Sequence, residues 1–195
     1  MKKLLIFVVS FLMVFTVIVP VSAQESNDTY IYYLSENEVE ANLNEDFENI
    51  IESLSSTKSA RIPEYSSYKY EEQTPVYRSV SGWAGNCPVG GVQYPKGGMI
   101  YWNPNGGPSV SVSLGVSYGN VSIGLSLGVR SDSTTAYLTE VPAGNNYYRL
   151  WVEPTYKIVP TKVYGKKVGS SSYTYLYTIY PKSIFRAIVD AKKVG

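Results

Sequence analysis

The pattern of hydrophobic and polar positions changes from a helical period to a strand period along this chain. In its first part, apolar residues recur at helical spacing, and they form one stripe along a helix. The stripe comprises Val39, Leu43, Phe47, Ile50, Ile51 and Leu54. Ser35 and Glu38 form a capping box in front of it, with Leu34 and Val39 placed as a hydrophobic staple. The pattern predicts an amphipathic helix that buries its stripe against the rest of the protein or, as the alternative, transiently against a membrane.

From Pro75 onward the helical stripe disappears and the pattern is typical of strands. Tyrosine is abundant, and glycine or proline recurs about every eight to twelve residues, as in a β-sandwich or barrel. The predicted fold is mainly β, an antiparallel sandwich-like or barrel-like domain preceded by the acidic helix, with residues 53–73 as a linker or extended arm. Pro154, Pro160 and Pro181 predict edge strands, bulges or breaks. The predicted strands are 76–82, 91–94, 99–102, 110–118, 121–130, 136–141, 147–159, 162–168, 173–180 and 184–189.

Residues 109–130 carry the clearest pattern, in which apolar residues alternate with serine and glycine. The apolar set comprises Val110, Val112, Leu114, Val116, Tyr118, Val121, Ile123, Leu125, Leu127 and Val129. Gly119-Asn120 suits a two-residue hairpin turn, which would pair Tyr118 with Val121 and Leu114 with Leu125. This register places the whole apolar set on one face and a smooth Ser/Gly strip on the other.

The predicted hairpin needs a partner surface. Burying its apolar side chains yields roughly 15–30 kcal/mol, and ordering the backbone costs a similar amount. No charged residue occurs from Gly97 to Val129, although exposed strands usually carry charges that oppose aggregation. The partner is either a second sheet of the same domain or lipid, since the strands have the length and alternation of a membrane-spanning hairpin.

In this pattern the segment resembles the stem hairpins of β-pore-forming toxins such as the aerolysin-like group. The resemblance covers the hairpin alone. It implies a membrane-inserting face formed by Val112, Leu114, Val116, Tyr118, Val121, Ile123, Leu125 and Leu127.

Residues 1–23 have the three parts of a secretory signal peptide. Lys2 and Lys3 are followed by an apolar run over 4–21, and Val21-Ser22-Ala23 matches the small-residue cleavage pattern. A retained anchor is the alternative, because the run is about as long as a membrane-spanning helix. We expect a secreted, extracellular protein that is cleaved after Ala23.

Charge divides the remaining chain. Residues 24–73 contain twelve acidic and three basic residues, a net charge of −9, whereas 74–195 contain four acidic and twelve basic residues, a net charge of +8. Opposite charges attract over short range. We predict an acidic helical extension or pro-region with a linker at 24–73 and a basic, Tyr-rich β domain at 74–195. The acidic segment either masks the basic domain until it is removed or simply packs on it.

The composition excludes several kinds of catalysis. The chain contains no histidine, which removes Ser-His-Asp and Cys-His catalysis and the usual zinc sites. Cys87 is the single cysteine, so no intramolecular disulfide forms, and we interpret it as a buried apolar residue. Asp132, Glu140 and Glu153 could supply a glycosidase pair, but their spacing singles out no two of them. We expect no enzyme activity, cofactor or metal.

The remaining candidates are aromatic and basic residues that could bind a surface ligand. Trp83, Trp102 and Trp151 could form a sugar-binding platform or simply fill and edge the β domain. A late basic cluster that includes Lys162, Lys166 and Lys167 could attract anionic lipid or wall polymers. Nucleic acid is excluded by export and the modest net charge.

The function predicted from these features is non-enzymatic. We expect the protein to bind a cell-wall polymer, a glycan or an anionic membrane at an envelope or extracellular surface. The alternative is a membrane-active pore-forming toxin or bacteriocin-like proprotein whose hairpin at 109–130 inserts into a bilayer.

Overall fold

The computed structural model describes residues 29–56, 65–85, 88–104, 107–115, 118, 121–128 and 137–194. The predicted signal peptide, Cys87, Val116 and Asp132 lie outside these residues. No helix in the described ranges is long and apolar enough to cross a membrane. The described elements are β1 (Thr29–Tyr33), α1 (Glu36–Ser56), β2 (Tyr65–Glu72), β3 (Val76–Ser79), β4 (Gly82–Trp83), β5 (Val92–Gln93), β6 (Gly98–Trp102), β7 (Ser109–Ser113), β8 (Ser122–Ser126), β9 (Tyr137–Val141), β10 (Tyr147–Ile158), β11 (Thr161–Lys167), β12 (Thr174–Ile179) and β13 (Lys182–Val194).

The main sheet is built on the long antiparallel pair of β10 and β13. β1 pairs with the outer edge of β13, and the short strands β3, β4 and β5 pair in turn along the other edge of β10. Every second residue of β10 from Leu150 to Ile158 is buried, whereas the residues between them are half-buried. The period-2 pattern of the sequence thus gives this sheet one core-facing side and one outer side.

Two separate two-stranded ribbons, β6–β9 and β7–β8, pack on the core-facing side of the main sheet. Trp102 of β6 and Leu125 of β8 belong to one core cluster with Leu150, Val152 and Val189 of the main sheet. The described chain is therefore mainly β and antiparallel, and its sheets are open. Of the two predicted architectures, the sandwich-like one describes this packing better.

Three prolines lie where the chain passes between the main sheet and a second sheet. Pro160 separates β10 from β11, Pro181 separates β12 from β13, and Pro75 lies between β2 and β3. Proline has no N–H for a ladder hydrogen bond, so the main sheet ends here and a three-stranded sheet of order β12-β11-β2 begins. The prediction of breaks at Pro160 and Pro181 is confirmed. Pro154 lies within β10, beside a bulge at Thr155 and Tyr156.

Helix α1 begins at the predicted capping box and covers the strand junction. The Ser35 N–H donates to Glu38 Oε2 at 2.8 Å and the Glu38 N–H donates to Ser35 Oγ at 3.3 Å. The Ser35 hydroxyl also donates to Glu38 Oε2 at 2.6 Å, and this hydrogen bond, together with the one from the Ser35 N–H, lowers the pKa of the Glu38 carboxyl. Val39 and Leu43 are buried with Val159, so the apolar stripe packs on the basic body.

Of the two predictions for residues 53–73, a linker or an extended arm, the extended arm describes their last part. Residues 65–72 form β2, which pairs with β11 along its full length. Strand β1, also unpredicted, pairs with β13. All ten predicted strands overlap a strand of the structure. The two strands that were not predicted, β1 and β2, both come from the acidic segment. Charged residues conceal the strand pattern of β2, whereas β1 contains no charged residue.

Candidate functional site

The three-stranded sheet presents tyrosine and lysine side chains on one face. Along β11, Lys162, Tyr164 and Lys166 are half-buried, whereas Val163 and Gly165 between them are buried. Successive side chains of a strand point to opposite sides. The three half-buried residues therefore share the open face of this strand.

Strands β2 and β12 add tyrosine and lysine to the same face. Lys69 and Tyr175 both lie opposite Tyr164 in the ladders, and the rings of Tyr164 and Tyr175 are 5.8 Å apart. Lys166 Nζ lies 5.9 Å from the centre of the Tyr173 ring. We call this surface the Tyr–Lys face, and it consists of Lys69, Lys162, Tyr164, Lys166, Tyr173 and Tyr175.

One carboxylate, that of Glu71, lies among the side chains of the Tyr–Lys face, opposite Lys162 in the ladder. Glu71 Oε1 is 2.6 Å from Lys69 Nζ, and this hydrogen bond lowers the pKa of Glu71 and raises the pKa of Lys69. The pair is exposed and therefore contributes little to stability. Lys166 forms no ion pair with any other residue of the described ranges. The Tyr–Lys face consequently carries a net positive charge.

Two of the three predicted lysines belong to this face. Lys162 and Lys166 lie on it, whereas Lys167 is exposed at the end of β11, beyond a register shift. Lys69 is not among the predicted site residues, because residues 53–73 are predicted to be a linker or extended arm. The alternation of tyrosine with lysine and glutamate in that segment is the signal that could have revealed it.

Trp83 and Trp151 form a cross-strand pair on the outer side of the main sheet. Their rings meet edge to face at 5.1 Å and 86°, a preferred aromatic geometry. The Arg149 guanidinium carbon lies 4.4 Å from the Trp83 ring centre, and Lys192 Nζ lies 4.2 Å from that of Trp151. Each ring thus already has a cation against it, which disfavours the predicted sugar-stacking platform.

Trp102 lies in the core rather than at a surface. Its side chain is 0% exposed, and its Nε1 donates to the Leu127 carbonyl at 2.9 Å. The prediction of Trp102 as a surface-binding candidate is therefore wrong. Its physical role is to hold the end of β8 against the main core.

The hairpin at 109–130 exists, but its register differs from the prediction. Val112 pairs with Ile123 rather than with Leu127, and the Leu114 N–H donates to the Val121 carbonyl at 2.9 Å. Gly115 has a φ of 94°, so the chain leaves the strand there and not at the predicted turn. The observed register differs from the predicted one by four residues. A register shift by an even number of residues keeps the same side chains on the apolar face. The alternation of the sequence therefore could not distinguish the observed register from the predicted one.

The apolar face of this hairpin packs into the core while its other face is exposed. Of the predicted membrane-facing residues, Leu114, Leu125 and Leu127 are buried, and Val112, Tyr118, Val121 and Ile123 pack at the margin of the core. Val110 belongs to the same face but is 37% exposed. The exposed opposite face consists of Ser109, Ser111, Ser113, Ser122 and Gly124.

Side chains of the main body hold the hairpin in place through its backbone. The Arg78 Nη2 donates to the Leu114 carbonyl at 2.8 Å, and the Tyr156 hydroxyl donates to the Ser126 carbonyl at 2.7 Å. Burial raises the pKa of the Tyr156 hydroxyl. The ladder of β7 and β8 continues into no other strand of the described ranges. The hairpin thus packs on the core as a separate two-stranded ribbon and is not part of a larger sheet.

The candidate carboxylates do not converge in the described part of the chain. Glu140 lines an open pocket of 340 Å³ together with Gly98, Met99, Val141 and Pro142. Glu153 instead accepts a hydrogen bond from the Trp151 indole at 2.8 Å. No cluster of metal-ligating side chains occurs among the residues that the structure describes.

Comparison with protein-family models, with curated proteins and with solved structures finds no match to this chain. Its function must therefore be argued from the surfaces themselves.

Proposed function

We propose that this protein is exported and acts as a non-enzymatic binding protein that attaches to an acidic polysaccharide at a cell envelope or extracellular surface. The Tyr–Lys face is the proposed binding surface. The observation that carries the proposal is the convergence of three lysines and three tyrosines, from three strands, on one open sheet face.

The chemistry of this face fits a charged sugar polymer. Lysine ammonium groups attract anionic groups and steer them to the surface. Tyrosine rings offer flat apolar area for sugar rings, and their hydroxyl groups hydrogen-bond to polar substituents. Tyr175 and Tyr173 are 51% and 43% exposed, so both are available to a ligand without rearrangement of the sheet.

Isothermal titration of the secreted chain with dextran sulfate tests the proposal. Tyr175→Ala and Lys166→Gln should each weaken binding about tenfold, the loss typical of an interface residue that contributes strongly. Tyr33→Ala and Lys193→Gln are the matched controls, because both residues are exposed elsewhere on the protein. Equal losses in the controls and in the Tyr–Lys variants would refute the proposed surface.

Insertion of the β7–β8 hairpin into a membrane is a second candidate function. It is favoured by the exposed Ser/Gly face, since a stem hairpin needs one apolar face for lipid and one small or polar face. The apolar alternation over 109–130 also extends beyond the short ladder that the folded protein uses. Detachment would interrupt no larger sheet. It would break hydrogen bonds from the body and expose the core side chains Leu114, Leu125 and Leu127, so insertion requires lipid to cover them.

A pair of neighbouring substitutions tests insertion without disturbing the core. Val110→Asp puts a charge on the lipid-facing side at a position that is already partly exposed, and Ser111→Asp puts the same charge on the polar side. If the hairpin inserts, Val110→Asp should reduce dye release from anionic liposomes more than Ser111→Asp does, because only the first substitution puts a charge on the lipid-facing side. Absence of release by the wild-type chain, or equal release by both variants, argues against insertion.

A further inference from the structure

Two cations lie side by side on the outer face of the main sheet. Arg149 of β10 is directly opposite Lys192 of β13. Side chains in such positions are close, and like charges there are destabilising. Within the described ranges, neither residue forms an ion pair with a carboxylate. Among the residues that the structure describes, these two positive charges therefore lie together without an ion-pair partner.

The Arg149 guanidinium is fixed in position but lacks an acceptor. Its Nε is buried and has no hydrogen-bond partner among the described residues. The group is held over the Trp83 ring at 4.4 Å, while Lys192 is held over the Trp151 ring at 4.2 Å. A buried donor without a partner is costly. The tryptophan pair thus maintains a cationic pair in which one buried donor, Arg149 Nε, has no acceptor among the described residues.

We propose that Arg149 and Lys192 form a binding site for a phosphate or sulfate group. A tetrahedral oxyanion supplies several acceptor oxygens and matches the planar fork of a guanidinium. Its charge would also offset the repulsion between the two cations. This Arg–Lys site lies on a different sheet from the Tyr–Lys face, so the proposal does not depend on the proposed function.

Two carboxylates of the same outer face balance the formal charge of Arg149 and Lys192, but they lie further along the strands. Asp190 lies opposite Trp151 in the ladder, about 7 Å along the strand from the Arg149–Lys192 pair. Glu153 accepts the hydrogen bond from the Trp151 indole and lies a further two residues along β10. The Arg149–Lys192 pair remains the more positive end of this surface.

Titration of the full secreted chain with inorganic phosphate and with sulfate, at constant ionic strength set with chloride, tests the site. Calorimetry and tryptophan fluorescence should both show saturable binding, since Trp83 and Trp151 contact the two cations. Arg149→Gln and Lys192→Gln should weaken binding at least tenfold. Arg149→Lys keeps the charge but loses the guanidinium fork, so it should also bind more weakly than the wild type.

Lys193→Gln is the matched control, because it removes the same charge from the adjacent, exposed residue of β13. It should leave phosphate and sulfate binding unchanged. Circular dichroism of each variant checks that the sheet is intact. No saturable binding of either ion, or an equal loss in Lys193→Gln, would overturn the proposal.

The source of the oxyanion is distinguished by a second arm with phosphatidylglycerol vesicles and soluble polyphosphate. Binding to polyphosphate but not to vesicles, lost in Lys192→Gln, supports the site and assigns it to a soluble or polymeric ligand. Vesicle binding that is lost in Lys192→Gln supports the site and assigns it to a lipid headgroup. Vesicle binding that survives Lys192→Gln, without any binding of free phosphate, overturns it.

Discussion

Tyrosine residues of this protein occupy two different environments. On the Tyr–Lys face Tyr173 and Tyr175 are exposed and available to a ligand, whereas Tyr137 and Tyr156 contribute their rings to the core. The Tyr137 ring lies 4.8 Å from that of Tyr32 and 5.5 Å from that of Trp102. Burial, with smaller effects of Glu38 and Tyr32, raises the pKa of Tyr137 to about 12.

This pKa predicts a loss of stability at alkaline pH. The unfolded chain ionises Tyr137 near pH 10, whereas the folded protein keeps it neutral up to about pH 12. The contribution of Tyr137 to the free energy of unfolding is therefore complete below about pH 10 and is lost as the pH rises towards about 12. Urea unfolding across this range should show a shallower decline for Tyr137→Phe than for the wild type. An equal decline in the free energy of unfolding of the two proteins would contradict the raised pKa of Tyr137.

Gly128 is required for the contact between β8 and Trp102. It has a φ of 77°, and a Cβ atom there would collide with the Asn103 carbonyl and the Trp102 indole nitrogen. Gly128→Ala should cost about 1–2 kcal/mol for the backbone and a further 1–3 kcal/mol for overpacking. Gly169 has a φ of 81° and open space around it, so Gly169→Ala should show the backbone cost alone. Similar unfolding free energies for the two variants would exclude the steric effect.

At the scale of elements, period and proline placement predict where strands occur, but not how they pair. The ten predicted strands overlap real ones because alternation and breakers are local signals. The hairpin register was not predictable, because registers that differ by an even number of residues bury the same face. The Tyr–Lys face was only partly predictable, since it needs β2 beside β11, a pairing between residues far apart in sequence. Likewise, burial of Trp102 depends on tertiary packing that its strand pattern does not specify.

Engineered disulfides test the hairpin register. Ser111 and Gly124 are opposite each other in the structure, whereas the register from the sequence would instead pair Ser113 with Ser126. In a Cys87→Ser background, Ser111→Cys with Gly124→Cys should oxidise readily, because opposed strand residues lie within disulfide distance. Ser113→Cys with Ser126→Cys should remain reduced, as mass spectrometry after thiol alkylation would show. The reverse result would contradict the observed pairing.

At the scale of the whole molecule, the acidic segment is joined to the basic body by strands as well as by charge. β1 extends the main sheet, β2 extends the three-stranded sheet, and α1 lies across the junction. Glu40 pairs with Lys157, and this hydrogen bond raises the pKa of Lys157. Asp46 accepts from the Lys182 backbone N–H at 3.0 Å. The opposite charges of the acidic segment and the basic body therefore accompany direct packing of one on the other.

We propose that residues 24–73 are retained if the protein is exported as predicted. A chain of 74–195 alone would expose the edges of β11 and β13 and the apolar surface beneath α1, and open strand edges promote aggregation. Such a chain should lack a cooperative unfolding transition in circular dichroism, and mass spectrometry should find the secreted product beginning at Gln24. A soluble, cooperatively folded 74–195, together with a product that begins near Gln73, would instead support a pro-region.

The most direct test of the proposed function compares dextran sulfate with uncharged dextran of the same length as ligands for the secreted chain. Attachment through the Tyr–Lys face predicts binding to dextran sulfate only, weakened by added salt because exposed charges are screened. In a Lys192→Gln background, which removes the contribution of the Arg–Lys site, Lys162→Gln combined with Lys166→Gln should remove most of this binding. Equal affinity for both polymers, or undiminished binding by the double variant, would contradict the proposal.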